Sequence, residues 1–126
     1  MIYGIGTDIV HVKRMHDNLE KYGDKFARRI LTDAEFSEFQ DKNNKTAFLA
    51  KRFAAKEATA KAMGTGFSDG LSLKHIGVIH DAAGKPMLEF SGAAERFINS
   101  RKINQSHLSL ADERDYAVAF VTLVME

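Results

Sequence analysis

Two carboxylates and an ammonium offer the most specific chemistry in this chain: Asp8, Glu57 and Lys61. Glu57 and Lys61 stand four residues apart, so on a helix they share a face and set a carboxylate beside a cation. Magnesium takes few protein carboxylates, keeps several waters and fills its shell from substrate phosphates, so one Asp and one Glu are enough for such a site. Lys61 could then offset phosphate charge. Each residue also has a plainer reading. The Glu57 and Lys61 spacing describes an exposed helical ion pair of roughly 0.3–0.5 kcal/mol. Asp8, near a strand end, could cap the following helix, and His107 in an alternating stretch could be a hydrogen-bonded sheet residue.

Other chemistries fail on spacing. Gly4-Ile5-Gly6 lacks the third glycine of a dinucleotide loop, because Ile9 stands there, and Gly84-Lys85 lacks the upstream glycine of a P-loop, where Ile79 stands. His75 and His80 are an odd number apart, so on a strand they point to opposite faces and cannot easily share a metal. Ser106, His107 and Asp112 supply the types for a triad, but adjacency in sequence does not set nucleophile-to-base geometry. The chain has no cysteine, which removes disulfides, thiolate nucleophiles and zinc-thiolate sites.

These residues need elements to place them. Ile2 to Val10, β-branched with two interposed glycines, reads as a strand approached closely by another backbone. Helical spacing runs from His11 to Leu31 with a break at Gly23. Thr32-Asp33-Ala34-Glu35 fits a capping box that starts a further helix. Thr46 to Met63 is the clearest helix, closed by Gly64. Its alanines, Ala54, Ala55, Ala58 and Ala62, allow close packing on one side, and Lys51, Arg52, Lys56, Glu57 and Lys61 are expected to carry charge elsewhere around the axis. His75 to His80 and Met87 to Phe90 form a predicted hairpin about the turn 81–86. Ser91 to Ile103 reads as a helix with Phe97 and Ile98 inward, and Ser106 to Ala111 pairs with Tyr116 to Val124 as a second hairpin. Helices come early and strand pairs late, which predicts an α+β fold with antiparallel sheets.

The 126 residues suit a single domain spanning 1–126. No apolar run approaches a membrane span, and the N-terminal residues lack the charged and apolar regions of an export signal, so a cytoplasmic location is expected. The net charge of +1 hides an asymmetry: residues 11–61 carry 12 basic and 8 acidic side chains, residues 62–126 carry 6 and 8. Bulk nucleic-acid binding is not indicated. Interleaved surface aromatics are also absent from residues 40–64, which disfavours single-strand binding.

Taken together, Gly4-Ile5-Gly6-Thr7-Asp8-Ile9-Val10, Arg52-Phe53-Ala54-Ala55-Lys56-Glu57-Ala58 with Lys61 and Gly64-Thr65-Gly66, and His107-Leu108-Ser109-Leu110 resemble the bacterial holo-acyl-carrier-protein synthases. These are short members of the 4'-phosphopantetheinyl transferase superfamily. Phe26 to Thr32, Gly84-Lys85-Pro86 and Asp115 to Ala119 extend the likeness over essentially the whole chain. The resemblance implies the phosphopantetheinyl transferase fold and transfer of 4'-phosphopantetheine from coenzyme A to a serine of apo-acyl carrier protein, releasing adenosine 3',5'-bisphosphate, in fatty acid biosynthesis. It implies Mg2+ on Asp8 and Glu57, with Lys61 in a charge-offsetting role. Arg52 and His107 would contact coenzyme A phosphates, and the Gly64 to Gly66 and Gly84 to Pro86 loops, Lys85 included, would border the nucleotide. For the base that takes the serine proton, a magnesium-bound water or Glu57 ranks ahead of His107.

The family is trimeric with sites at subunit interfaces. Its acidic carrier would meet Lys13, Arg14, Lys21 and Arg28. The chain departs from the family pattern at Ala111, where a hydroxyl is usual. Two other readings use the same cations: a coenzyme A or nucleotide-binding module without transferase activity, and an adaptor for nucleic acid or acidic protein.

Overall fold

The computed structural model describes residues Met1–Glu126. The chain runs β1 (Ile2–His11), α1 (Val12–Tyr22), α2 (Asp24–Ile30), α3 (Asp33–Gln40), α4 (Lys45–Met63), a one-turn 3-10 helix (Leu73–His75), β2 (Ile76–His80), β3 (Pro86–Phe90), α5 (Gly92–Ser100), β4 (Ile103–Asp112) and β5 (Tyr116–Met125). Strands β1, β5 and β4 form one antiparallel sheet in that order, and β2 and β3 form a separate hairpin. The α+β expectation holds.

The close approach foreseen for β1 is made by α4. A Cβ at Gly4 would lie 2.0 Å from the Ala62 carbonyl oxygen, and one at Gly6 would lie 1.9 Å from that of Ala58. Only glycine on the strand and alanine on the helix let these backbones meet. Across the sheet, Ala117, Ala119, Val121 and Leu123 of β5 are fully buried on the α4 side. Strand alternation sends Ile5, Ile9 and Phe120 to the other side, where they are 59%, 64% and 46% exposed.

The capping box forms as read: the Thr32 hydroxyl accepts from the Glu35 N–H, and the Thr32 N–H donates to Glu35 Oε1. Helix α4 begins at Lys45, one residue early, because the Asn44 side chain caps it by accepting from the Ala47 N–H; Gly64 closes it at φ 81°. Among the boundaries that differ from the sequence reading, two have a plain local cause. The helix expected to reach Ile103 stops at Ser100. Lys102 takes φ 57°, and Ile103 already pairs with Met125, buried as the first residue of β4. His75 closes the 3-10 turn instead of opening a strand; its Nδ1 accepts from the Ser72 N–H.

Candidate active site

Asp8 opposes Ala119 in the register of β1 and β5, which puts its side chain on the α4 face with Gly6 and Val10. It caps no helix: His11 holds the N-cap position of α1, and no side chain caps it. Lys61, three residues before Gly64, reaches across from α4 and donates to Asp8 Oδ1 at 3.0 Å and to the Thr7 carbonyl at 3.0 Å. It bridges strand and helix instead of pairing with Glu57, its helical neighbour. The Lys61 side chain is 55% exposed and that of Asp8 15%.

Glu57 lies close enough to Asp8 for the two charges to interact. Partial burial, and then the Asp8 charge, raise the Glu57 carboxyl above its ordinary pKa, against the opposing pull of Lys61 and Arg14. Negative charge is thus incompletely neutralised here, with hard oxygen donors on two rigid elements. No group of three or more His, Cys, Asp or Glu forms a metal cage. Two carboxylates suit a magnesium ion that draws its other ligands from water and phosphate.

The remaining candidates lie elsewhere. His107 opposes Thr122, on the same face as Phe120 and away from α4, so one chain places His107 and Asp8 on opposite faces of its sheet. Arg52 and Lys56 overturn the expectation of a charged surface: they are 3% and 0% exposed. Glu35, equally buried, receives Lys56 Nζ at 2.8 Å on Oε1 and the Val78 N–H at 2.9 Å on Oε2. Lys56 also donates to the carbonyls of Leu73 and Ile76, using all three of its N–H bonds. Burial pulls the Lys56 pKa down from the lysine value, and Glu35 pulls it back up.

Arg52 lines a cleft of about 260 Å³ with Pro86, His80, Lys42 and Lys51. Lys85 is exposed at the hairpin turn, its N–H held by Asp81 Oδ1. Gly64 and Gly66, at φ 81° and 59°, shape the loop beyond Lys61. On the first two helices, Lys13 pairs with Asp17 at 2.8 Å, Arg14 lies over Phe53, Lys21 over Tyr22 and Arg28 over Phe36. The buried role of Glu35 and Lys56 escaped the sequence reading. The capping box accounted for Glu35 completely, and nothing local marks a lysine in an Ala-rich helix as internal.

Strand, glycine-alanine helix contact and paired carboxylates together define a known class. The family model described as the 4'-phosphopantetheinyl transferase superfamily matches residues 4–121. A holo-[acyl-carrier-protein] synthase of Halorhodospira halophila is 53% identical over 124 residues, 98% of each chain. The crystal structure of the holo-[acyl-carrier-protein] synthase from Neisseria meningitidis superposes with TM-score 0.93 at 47% identity, covering 98% of this chain and 99% of that one. The Bacillus anthracis synthase, in complex with CoA (3',5'-ADP), gives 0.83 at 38% identity over 100% and 99% of the two chains. The chain therefore belongs to the 4'-phosphopantetheinyl transferase superfamily, within its holo-acyl-carrier-protein synthases.

Proposed function

We propose that Asp8 and Glu57 hold a divalent cation, magnesium by their chemistry, in a holo-acyl-carrier-protein synthase that moves 4'-phosphopantetheine from coenzyme A to a serine of apo-acyl carrier protein in fatty acid synthesis. The observation that carries this reading is the meeting of Asp8, Glu57 and Lys61 at the β1–α4 contact, beside the Gly64 to Gly66 loop. One domain, 1–126, supplies the machinery.

A bound divalent cation would neutralise charge on the diphosphate of coenzyme A. The chain's own groups do the rest. The serine oxygen bonds to the β-phosphorus as the bond to the bridging oxygen breaks, and adenosine 3',5'-bisphosphate leaves. Glu57, through a carboxylate oxygen not given to the cation, accepts the serine proton. Lys61 holds its ammonium against Asp8 and is exposed enough to reach a phosphate oxygen on the leaving side. Gly64 and Gly66 keep Cβ atoms out of the loop that borders the nucleotide. Arg52, Lys85, Pro86 and His107 contact coenzyme A.

For Asp8 and His107 to touch one coenzyme A, they must come from different copies of the chain, since a single copy separates them by the thickness of its sheet. The exposed apolar face of Ile5, Ile9 and Phe120, from which His107 also projects, gives the second copy a seat. A closed ring of three copies would bury this face in every subunit. Basic side chains along α1 and α2, Lys13, Arg14, Lys21 and Arg28, would receive the acidic carrier, in the cytoplasm, with an on-rate that falls with salt.

The test is the mass of apo-acyl carrier protein incubated with the enzyme, coenzyme A and magnesium. A gain of one phosphopantetheine is expected. Coenzyme A binding with no gain under any divalent metal would mean a binding module instead. In the same assay, inactive Asp8→Ala and His107→Ala preparations should regain activity after subunit exchange. If they do not, both residues serve one chain's site.

A further inference from the structure

Arg52 Nε is the only buried side-chain nitrogen or oxygen in the structure without a hydrogen-bond partner. Its two carboxylate neighbours both stand off: Glu35 Oε2 is 3.7 Å from Nε, and Glu38 Oε2 is 3.7 Å from Nη2. Neither distance is a hydrogen bond. The guanidinium packs on the Phe48 ring, 4.4 Å from its centroid, and borders the cleft that contains Pro86. An arginine beside a buried carboxylate ordinarily closes on it in a bidentate pair, so something prevents closure.

Lys56 helps to pin that carboxylate in place. It sits one turn after Arg52 on the same face of α4 and takes Glu35 Oε1 beside the Thr32 N–H, while the Val78 N–H takes one of the two acceptor directions of Oε2, the oxygen that stands 3.7 Å from Arg52 Nε. Lys56 is itself fixed by the carbonyls of Leu73 and Ile76, so it cannot yield Glu35 to Arg52. We propose that Lys56 is a positioning residue for substrate binding: by anchoring Glu35 through Oε1 it holds that carboxylate beyond hydrogen-bonding distance of Arg52, so that the guanidinium stays available to an anionic phosphate group entering the cleft beside Pro86. The inference rests on the reading above that Arg52 contacts coenzyme A. It adds a residue that never touches the substrate.

The test uses the full-length enzyme and coenzyme A itself, with KM and kcat from turnover and Kd from calorimetry. Lys56→Met removes the ammonium that anchors Glu35 Oε1 and keeps most of the unbranched side chain, and Glu35 then closes on Arg52. KM and Kd for coenzyme A should rise about tenfold, the scale of one lost charged contact, while kcat at saturation changes less than about threefold. The double variant Lys56→Met with Glu35→Gln removes the carboxylate that the single variant releases toward Arg52, with Glu38 unchanged at Nη2 in both, and KM should return to within about threefold of wild type. A purely structural clamp predicts the opposite, since losing both partners would be no better than losing one. Persistent weakness in the double variant therefore overturns the proposal. If Lys56→Met does not fold, Glu35→Gln alone decides: coenzyme A binding as tight as wild type or tighter supports the proposal, and weakening beyond threefold overturns it. Arg52→Ala separates the two levels. No change in KM would remove Arg52 from the substrate and the proposal with it, whereas a raised KM beside an unaffected Lys56→Met overturns the proposal alone.

Discussion

Along α4, Glu57 and Lys61 look toward β1 while Arg52 and Lys56 look toward α3 and the β2–β3 hairpin, and the two sides handle charge differently. On the β1 side the charges are partly solvated, and two carboxylates share a single exposed ammonium. On the other side a lysine with no exposed surface has all its protons used, and the carboxylate it meets accepts three hydrogen bonds, from Thr32, Lys56 and Val78. The first side has charge left to give to a ligand. The second has spent nearly all of it on holding α3, α4 and the hairpin together, Arg52 excepted. Burial decides the difference, because an uncompensated charge is tolerable only where water or a ligand can reach it.

If the open side is catalytic, Asp8→Ala and Glu57→Ala should each lower turnover about a thousandfold, roughly 4 kcal/mol of barrier, with circular dichroism and melting intact. Rates within tenfold of wild type for either would remove that residue from the metal site. The next effect is on the contact that creates the open side. Gly6→Val puts a side chain where the Ala58 carbonyl already stands, and it should cost about 3 kcal/mol or more of stability, read from denaturant midpoints. An unchanged midpoint would show that β1 can move off α4 without penalty.

Lys61→Met should reduce kcat by about ten- to a hundredfold while leaving the melting temperature nearly unchanged, since its ion pair is solvated. A large loss of stability would make Lys61 a clamp like Lys56 and erase the contrast. The smallest effect concerns pH. Because burial and Asp8 raise the Glu57 pKa in the fold, the folded chain holds that proton more tightly than the unfolded one. Stability therefore falls as pH rises from the unfolded value of about 4.3 through the raised folded value. In chelator at neutral pH, Glu57→Gln should melt slightly above wild type, with the gap closing as pH drops toward about 4. A gap independent of pH would mean that the carboxylate's charge is not its cause.

Much of this site was readable from local pattern. Gly4 and Gly6 in a β-branched strand signalled a close neighbour, and Ala58 and Ala62 supplied it. Thr32 and Glu35 announced the helix start, and Asp8 and Glu57 stood out once other spacings had been struck off. The end of α5 was missed because Lys102 adopts a left-handed conformation that is uncommon outside glycine, so no residue type warned of it. The burial of Lys56 was missed for a different reason. A lysine in an Ala-rich helix is ordinarily exposed, and only the carbonyls of Leu73 and Ile76, some twenty residues downstream, make its interior position tolerable.

Residue order alone determined the helices, the hairpins, the α+β class and the two carboxylates, because periodicity, capping and turn chemistry act over a few residues. Tertiary structure alone decided which charges remain available. Lys61 turned to Asp8 and away from Glu57, Glu35 was given to Lys56 and withheld from Arg52, and His107 was set on the sheet face opposite Asp8. Each of these depends on distances between segments far apart in the chain, and charge interactions are fixed by those distances and by the exclusion of water.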